Sequence, residues 1–94
     1  TVQAVLVLTI KRARNVQNFE LLGKSDPFVK AKVGPSPAQR TAVRFNTTNP
    51  IFGETLTFRL ADCADACNVK VELMLFDKGT IVDELVGYTM FMFR

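Results

Sequence analysis

Glu54-Thr55-Leu56-Thr57-Phe58-Arg59-Leu60 alternates strictly, with Leu56 and Phe58 on one side and Thr55, Thr57 and Arg59 on the other. A period of two marks a strand with one face on a core and the other in water. The same pattern recurs on either side. Residues 27–33 set Val29, Ala31 and Val33 against Phe28, Lys30 and Lys32. Residues 39–45 set Thr41, Val43 and Phe45 against Arg40, Ala42 and Arg44. Residues 69–76 place Val69, Val71, Leu73 and Leu75 on one face, and residues 2–13 and 85–93 read as further apolar strands. Turn signals separate them: Gly34-Pro35-Ser36-Pro37, Asn49-Pro50, and a small-residue connector at 61–68 with room for a helical turn. Short strands at this spacing predict an all-β fold, an antiparallel β-sandwich.

The length, 94 residues, fits a single domain over 1–94. A chain of this size buries roughly 60–65% of its unfolded surface, so its core is adequate and no more. The net charge of +3 is too weak to indicate nucleic acid, though it suits an anionic membrane. The chain has no histidine, which removes imidazole catalysis and histidine metal sites. Cys63 and Cys67 are the only cysteines, too few for a zinc site, and their usage fits a reducing compartment. They read either as two small, partly buried residues or as a disulfide or redox pair. The apolar run at residues 4–10 is too short to span a bilayer and has no signal-peptide character.

Ligand-binding residues in a sandwich lie in the loops at its ends. Three loops can converge at one end: loop one (residues 15–26), loop two (46–53) and loop three (77–84). Loop one carries Glu20 and Asp26, loop two Asn46, and loop three Asp77, Asp83 and Glu84. Together they would offer hard oxygen ligands of the kind calcium takes, about six to eight per ion. Carboxylates held close repel one another until a cation arrives, so such a cluster works as a charge switch. The same loops are apolar where loops usually are not: Phe19, Leu21 and Leu22 in loop one, Ile81 and Val82 in loop three. Exposed, they would form a patch suited to a membrane or a partner.

Three segments carry a resemblance along nearly the whole chain. They are Gly23-Lys24-Ser25-Asp26-Pro27-Phe28-Val29-Lys30, then Asn49-Pro50-Ile51-Phe52-Gly53-Glu54-Thr55-Leu56-Thr57-Phe58, then Leu75-Phe76-Asp77 with Asp83-Glu84-Leu85-Val86-Gly87. In order and spacing the chain resembles a C2 domain, most similar to that of cytosolic phospholipase A2. The resemblance implies a Greek-key sandwich of type II topology. It puts Asp26, Asn46 and Asp77 on calcium-ligand positions, Glu20 where the family usually has Asp, and Asp83 on the last acidic position of loop three. It puts Leu21, Leu22, Ile81 and Val82 on membrane-inserting positions. Two departures remove ligand side chains: Gly23 replaces a loop-one aspartate, and Gly79 replaces an Asp or Asn. Lys24 and Lys78 beside the acidic residues also oppose cation binding. The count falls two strands short of a full C2 sandwich. That implies either a C-terminally incomplete domain or strands supplied from elsewhere, as in a strand-exchanged homo-oligomer.

Lys30, Lys32, Arg40 and Arg44 form a second candidate site, a basic sheet face for anionic lipid headgroups. The leading functional expectation is a calcium-regulated phospholipid-binding module that brings a parent protein to membranes from the cytoplasm when calcium rises. The alternative is a calcium-independent domain that binds anionic lipid through the basic face, or binds a protein partner. No Gly-x-Ser-x-Gly elbow and no nucleophile with an adjacent base is present, so the chain itself reads as non-catalytic.

Overall fold

The structure, a computed structural model, describes residues 4–16, 23–60 and 68–93. Among them run six strands: β1 (Ala4–Arg12), β2 (Pro27–Val33), β3 (Gln39–Arg40), β4 (Ile51–Leu60), β5 (Val69–Asp77) and β6 (Glu84–Phe93). They form two antiparallel sheets, β1-β4 and β3-β2-β5-β6. The chain crosses between layers to reach β4 and crosses back to reach β5, the connectivity of a Greek-key sandwich.

The alternation read from the sequence sets the core. Leu56, Phe58 and Leu60 of β4 join Leu6 and Ile10 of β1 against Val29, Ala31 and Val33 of β2 and Val71 of β5. Phe58 is 1% exposed, a burial worth roughly 1.5–3 kcal/mol. β4 starts earlier than the alternation alone suggests. Gly53 sits at φ 59, and the β1 register shifts between Ile10 and Arg12. One extra residue is absorbed as a bulge, so the strand runs on to Ile51.

The strand expected over residues 39–45 is a correction: β3 holds only Gln39 and Arg40. Thr41 still bonds β2, its N–H donating to the Val29 carbonyl and its Oγ1 accepting the Val29 amide. Beyond it, side-chain contacts with β4 take the place of the ladder. Glu54 Oε2 accepts the Ala42 N–H at 3.0 Å, and Arg44 donates to the carbonyls of Ile51 and Phe52. Phe45, placed by alternation on the core side, is 72% exposed. Phe28 is the second correction. It lies on the outer face with Lys30 yet is 3% exposed, because Phe76 stacks on it at 5.3 Å and the Arg40 guanidinium covers it at 4.9 Å.

The two layers are unequal. β1 and β4 face four strands, and β1 covers the sheet only as far as Val29, Leu73 and Leu75, beside an open apolar cleft. On the inner side of β6, Phe91 and Phe93 are about half exposed. The 61–67 part of the connector, with Cys63 and Cys67, lies outside the described residues, as do Phe19, Glu20, Leu21 and Leu22.

Candidate functional site: the loop end of the sandwich

Pro27 opens β2 directly opposite Asp77, the last residue of β5. Proline has no amide hydrogen, but its missing donor faces residues 41–44, where the Pro27 carbonyl accepts the Arg44 N–H, so the ladder to β5 passes Pro27 intact. At the next residue Asp77 adds a side-chain tie: its Oδ1 accepts the Asp26 N–H at 2.9 Å. Asp77 is 5% exposed, and a carboxylate this buried requires such a donor. The chain of bonds runs on into loop two. Asp26 Oδ1 accepts the Asn46 N–H at 2.7 Å, and Asn46 Oδ1 accepts the Lys24 N–H at 2.9 Å. Asn46 sits in the left-handed region, φ 55, which asparagine tolerates better than most residues.

Backbone bonds close the cluster. Thr47 N–H donates to the Ser25 carbonyl at 2.8 Å, and Lys78 N–H donates to the Asp26 carbonyl at 2.9 Å. Loops one, two and three therefore meet at one end of the sandwich, with Asp26 at the junction. Gly23 fits here at φ 78, where a Cβ would stand 3.2 Å from Asn46 Oδ1.

Asp83 is engaged separately. Its Oδ1 accepts the Gly79 N–H at 3.1 Å and lies 3.4 Å from Lys78 Nζ. Glu84 pairs across the ladder with Asp77 and is exposed. Among the described residues no group of three or more acidic or thiol side chains is placed to hold a metal ion. Asp26 and Asp77 each commit Oδ1 to a backbone amide, Asn46 commits its Oδ1 to Lys24, and Asp83 faces a lysine. The described donor set thus falls short of a calcium shell. Glu20, the remaining candidate ligand, lies outside the described residues.

The apolar residues of loop three stand clear of the core. Ile81 is 94% exposed and Val82 is 74% exposed. Two more apolar residues stand at loop two, Phe45 just before it and Ile51 within it, the latter 70% exposed. Alternation hid Phe45 by assigning it inward, and Ile51 looked like an ordinary loop residue. Arg44, bonded to the Ile51 and Phe52 carbonyls and paired with Glu54, ties this segment to β4, a contact that no periodicity reveals.

The basic face is less uniform than its sequence. Lys30 and Arg40 are exposed partners on adjacent strands. Lys32 Nζ donates to the carbonyls of Gly34 and Ser36, and Glu72 stands opposite it. Arg44 Nη2 pairs with Glu54 Oε2 at 3.1 Å. Glu72 also accepts the Tyr88 hydroxyl at 2.9 Å; that bond, with slight desolvation and the glutamate charge, holds the phenol above its ordinary 10.0.

Comparison with known proteins gives this arrangement a family context. Residues 4–94 match the C2 domain model. The "Calcium-dependent lipid-binding protein" of Arabidopsis thaliana is 33% identical over 85 residues, 90% of this chain and 16% of that protein. Among solved structures, a C2 domain of plant Extended Synaptotagmin 1 superposes with a TM-score of 0.80 at 25% identity, covering 92% of this chain and 66% of that one. Human GIVD cytosolic phospholipase A2 shares the fold, with a TM-score of 0.78 at 22% identity over 96% of this chain and 13% of that one. The chain spans about one sixth of the curated relatives it matches.

Proposed function

The chain belongs to the C2 domain family, and from that membership we propose that it docks on phospholipid membranes through the loop end of its sandwich. Ile81 and Val82 enter the bilayer surface, and calcium strengthens the contact at Asp26 and Asp77. The observation that carries this reading is the exposure of Ile81 and Val82, 94% and 74%, on a loop bonded at its base to Asp26. Fully burying a side chain of this size is worth roughly 1.5–3 kcal/mol, so two of them partly inserted give a weak, reversible hold. The other apolar candidates, Phe19, Leu21 and Leu22, would add to it.

A cation at this end would have the Asp26 and Asp77 carboxylates as neighbours, with Glu20 from loop one. It would offset the cost of bringing buried negative charge to a lipid surface. The module works on the cytoplasmic side as a peripheral membrane protein, and any chemistry belongs to other parts of a parent protein. A sandwich completed by two further strands beside β1 would cover the open inner side of β6.

The second reading, anionic lipid on the sheet face, has less support. Two of its four charges, Lys32 and Arg44, already serve the chain's own carbonyls and Glu54.

Co-sedimentation with phosphatidylcholine vesicles and with anionic vesicles, each with calcium and with chelator, tests the proposal. Binding to both lipids that rises with calcium is the expected outcome. Binding to anionic vesicles alone, indifferent to calcium, would transfer the function to Lys30 and Arg40. A folded chain that binds neither would point to a protein partner.

A further inference from the structure

Loop three is built differently from a loop waiting for a metal. Its two ends are fixed: Lys78 N–H donates to the Asp26 carbonyl, and Glu84 pairs with Asp77. Within it, Gly79 lies so close to Val82 that a Cβ at position 79 would stand 1.8 Å from the Val82 carbonyl oxygen. No other residue fits, so glycine here is a requirement of the closed loop. The Gly79 amide is held by Asp83 Oδ1 at 3.1 Å, and the same oxygen lies 3.4 Å from the Lys78 ammonium. One carboxylate oxygen therefore gathers a backbone donor and a positive charge from the opposite side of the loop. Ile81 and Val82, between these ties, project outward.

We propose that Lys78 acts as a tethered cation for Asp83, closing residues 78–83 so that Ile81 and Val82 are presented to a membrane before calcium binds. This deepens the docking reading above and rests on it. The charge that a second divalent ion would bring to Asp83 is already supplied by the chain. Calcium, acting at Asp26 and Asp77, then raises an affinity that exists without it. The ion pair is half exposed, so its direct contribution to stability is small. Its importance lies in where it holds the Asp83 carboxylate and in neutralising that charge at the surface that meets lipid.

The test pairs a readout that needs no membrane with one that does. The first is amide hydrogen exchange at Gly79 in chelator. The second is co-sedimentation with phosphatidylcholine vesicles, in chelator and in calcium. The proteins are the wild type, Lys78→Gln, Lys78→Arg and Asp83→Ala. In the wild type the Gly79 amide is protected in chelator, and vesicle binding persists there at a reduced level. Lys78→Gln raises the exchange rate and lowers chelator binding by about threefold to fivefold, the equilibrium effect of losing an exposed ion pair. Calcium still raises its binding, through Asp26 and Asp77. Lys78→Arg behaves as wild type. Asp83→Ala loses protection at Gly79 and binds less in chelator, and calcium raises its binding as it does that of the wild type.

A wild type that binds vesicles only with calcium would overturn the proposal and leave the docking reading standing. So would a Lys78→Gln variant with wild-type exchange and wild-type binding in chelator. A wild type that binds no vesicle in either condition would sink the docking reading and the proposal with it. Exchange at Gly79 would then still report whether Lys78 closes the loop.

Discussion

The side chain of Asp77 receives the backbone amide of Asp26 at 2.9 Å, joining the end of β5 to the residue that precedes β2. One nearly buried carboxylate thus holds loop one to loop three. Asp77→Ala leaves the Asp26 donor without its acceptor, at an expected cost of about 1–3 kcal/mol. Asp77→Asn keeps an oxygen in place and should cost less. Both remove the charge that a cation would meet, so both should abolish any calcium response in vesicle binding. Thermal unfolding alongside co-sedimentation separates the two effects. An unchanged calcium response in the asparagine variant would take Asp77 out of the site.

The sheet face yields a contrasting expectation. Lys30 is exposed beside Arg40, whereas Lys32 holds the turn through Gly34 and Ser36. Lys30→Gln should lower affinity for anionic vesicles by about fivefold, near 1 kcal/mol for one charge at the surface, and leave phosphatidylcholine binding unchanged. Lys32→Gln should in addition lower the midpoint of urea unfolding, because it frees two carbonyls. Equal losses on neutral and anionic vesicles would mean that Lys30 acts through folding.

Tyr88 is the chain's one tyrosine, so its ionisation can be read directly from ultraviolet absorbance. The bond from its hydroxyl to Glu72 favours the protonated phenol. The midpoint should lie above 10.0, and Glu72→Gln should bring it back toward that value. A raised phenol value means the folded chain binds more protons than the unfolded one in this range. The stabilisation is complete below the unfolded value and is lost as pH rises through the folded one. A midpoint at or below 10.0 would show that the bond does not persist in solution.

Where the sequence was legible, local periodicity agreed with the packing. In β4 every second residue from Leu56 to Leu60 is buried, and in β2 Val29, Ala31 and Val33 are buried as their alternation requires. It misled where a distant side chain overrode the local pattern. Residues 41–45 alternate like a strand, but Glu54 takes the Ala42 amide and Arg44 reaches the carbonyls of β4. Phe28 alternates with lysines and is buried all the same, because Phe76 and Arg40 close over it on the outer face. Such contacts are set by tertiary partners and leave no mark on the periodicity of either segment.

At the loop end, the order of loops one, two and three along the chain allowed Asp26, Asn46 and Asp77 to meet, and the structure joins them through backbone amides. Their bonding was not legible. Asn46 uses its side-chain oxygen on Lys24, and Asp83 faces Lys78 instead of joining the other carboxylates. Gly79, read as a missing ligand, turns out to be the residue that lets the Val82 carbonyl approach. That close approach depends on the backbone path of the whole loop, which composition does not determine.

Docking of this kind puts the tip of loop three in the bilayer. The chain has no tryptophan, so Ile81→Trp introduces a single fluorophore at that tip. Val5→Trp places one at an exposed position near the other end of β1, opposite Arg59. With phosphatidylcholine vesicles and calcium, the position-81 emission should shift to the blue and be quenched by brominated acyl chains, while the position-5 emission stays as in water. A vesicle-bound protein whose position-81 emission remains that of an aqueous indole would contradict insertion and with it the account of how this domain docks.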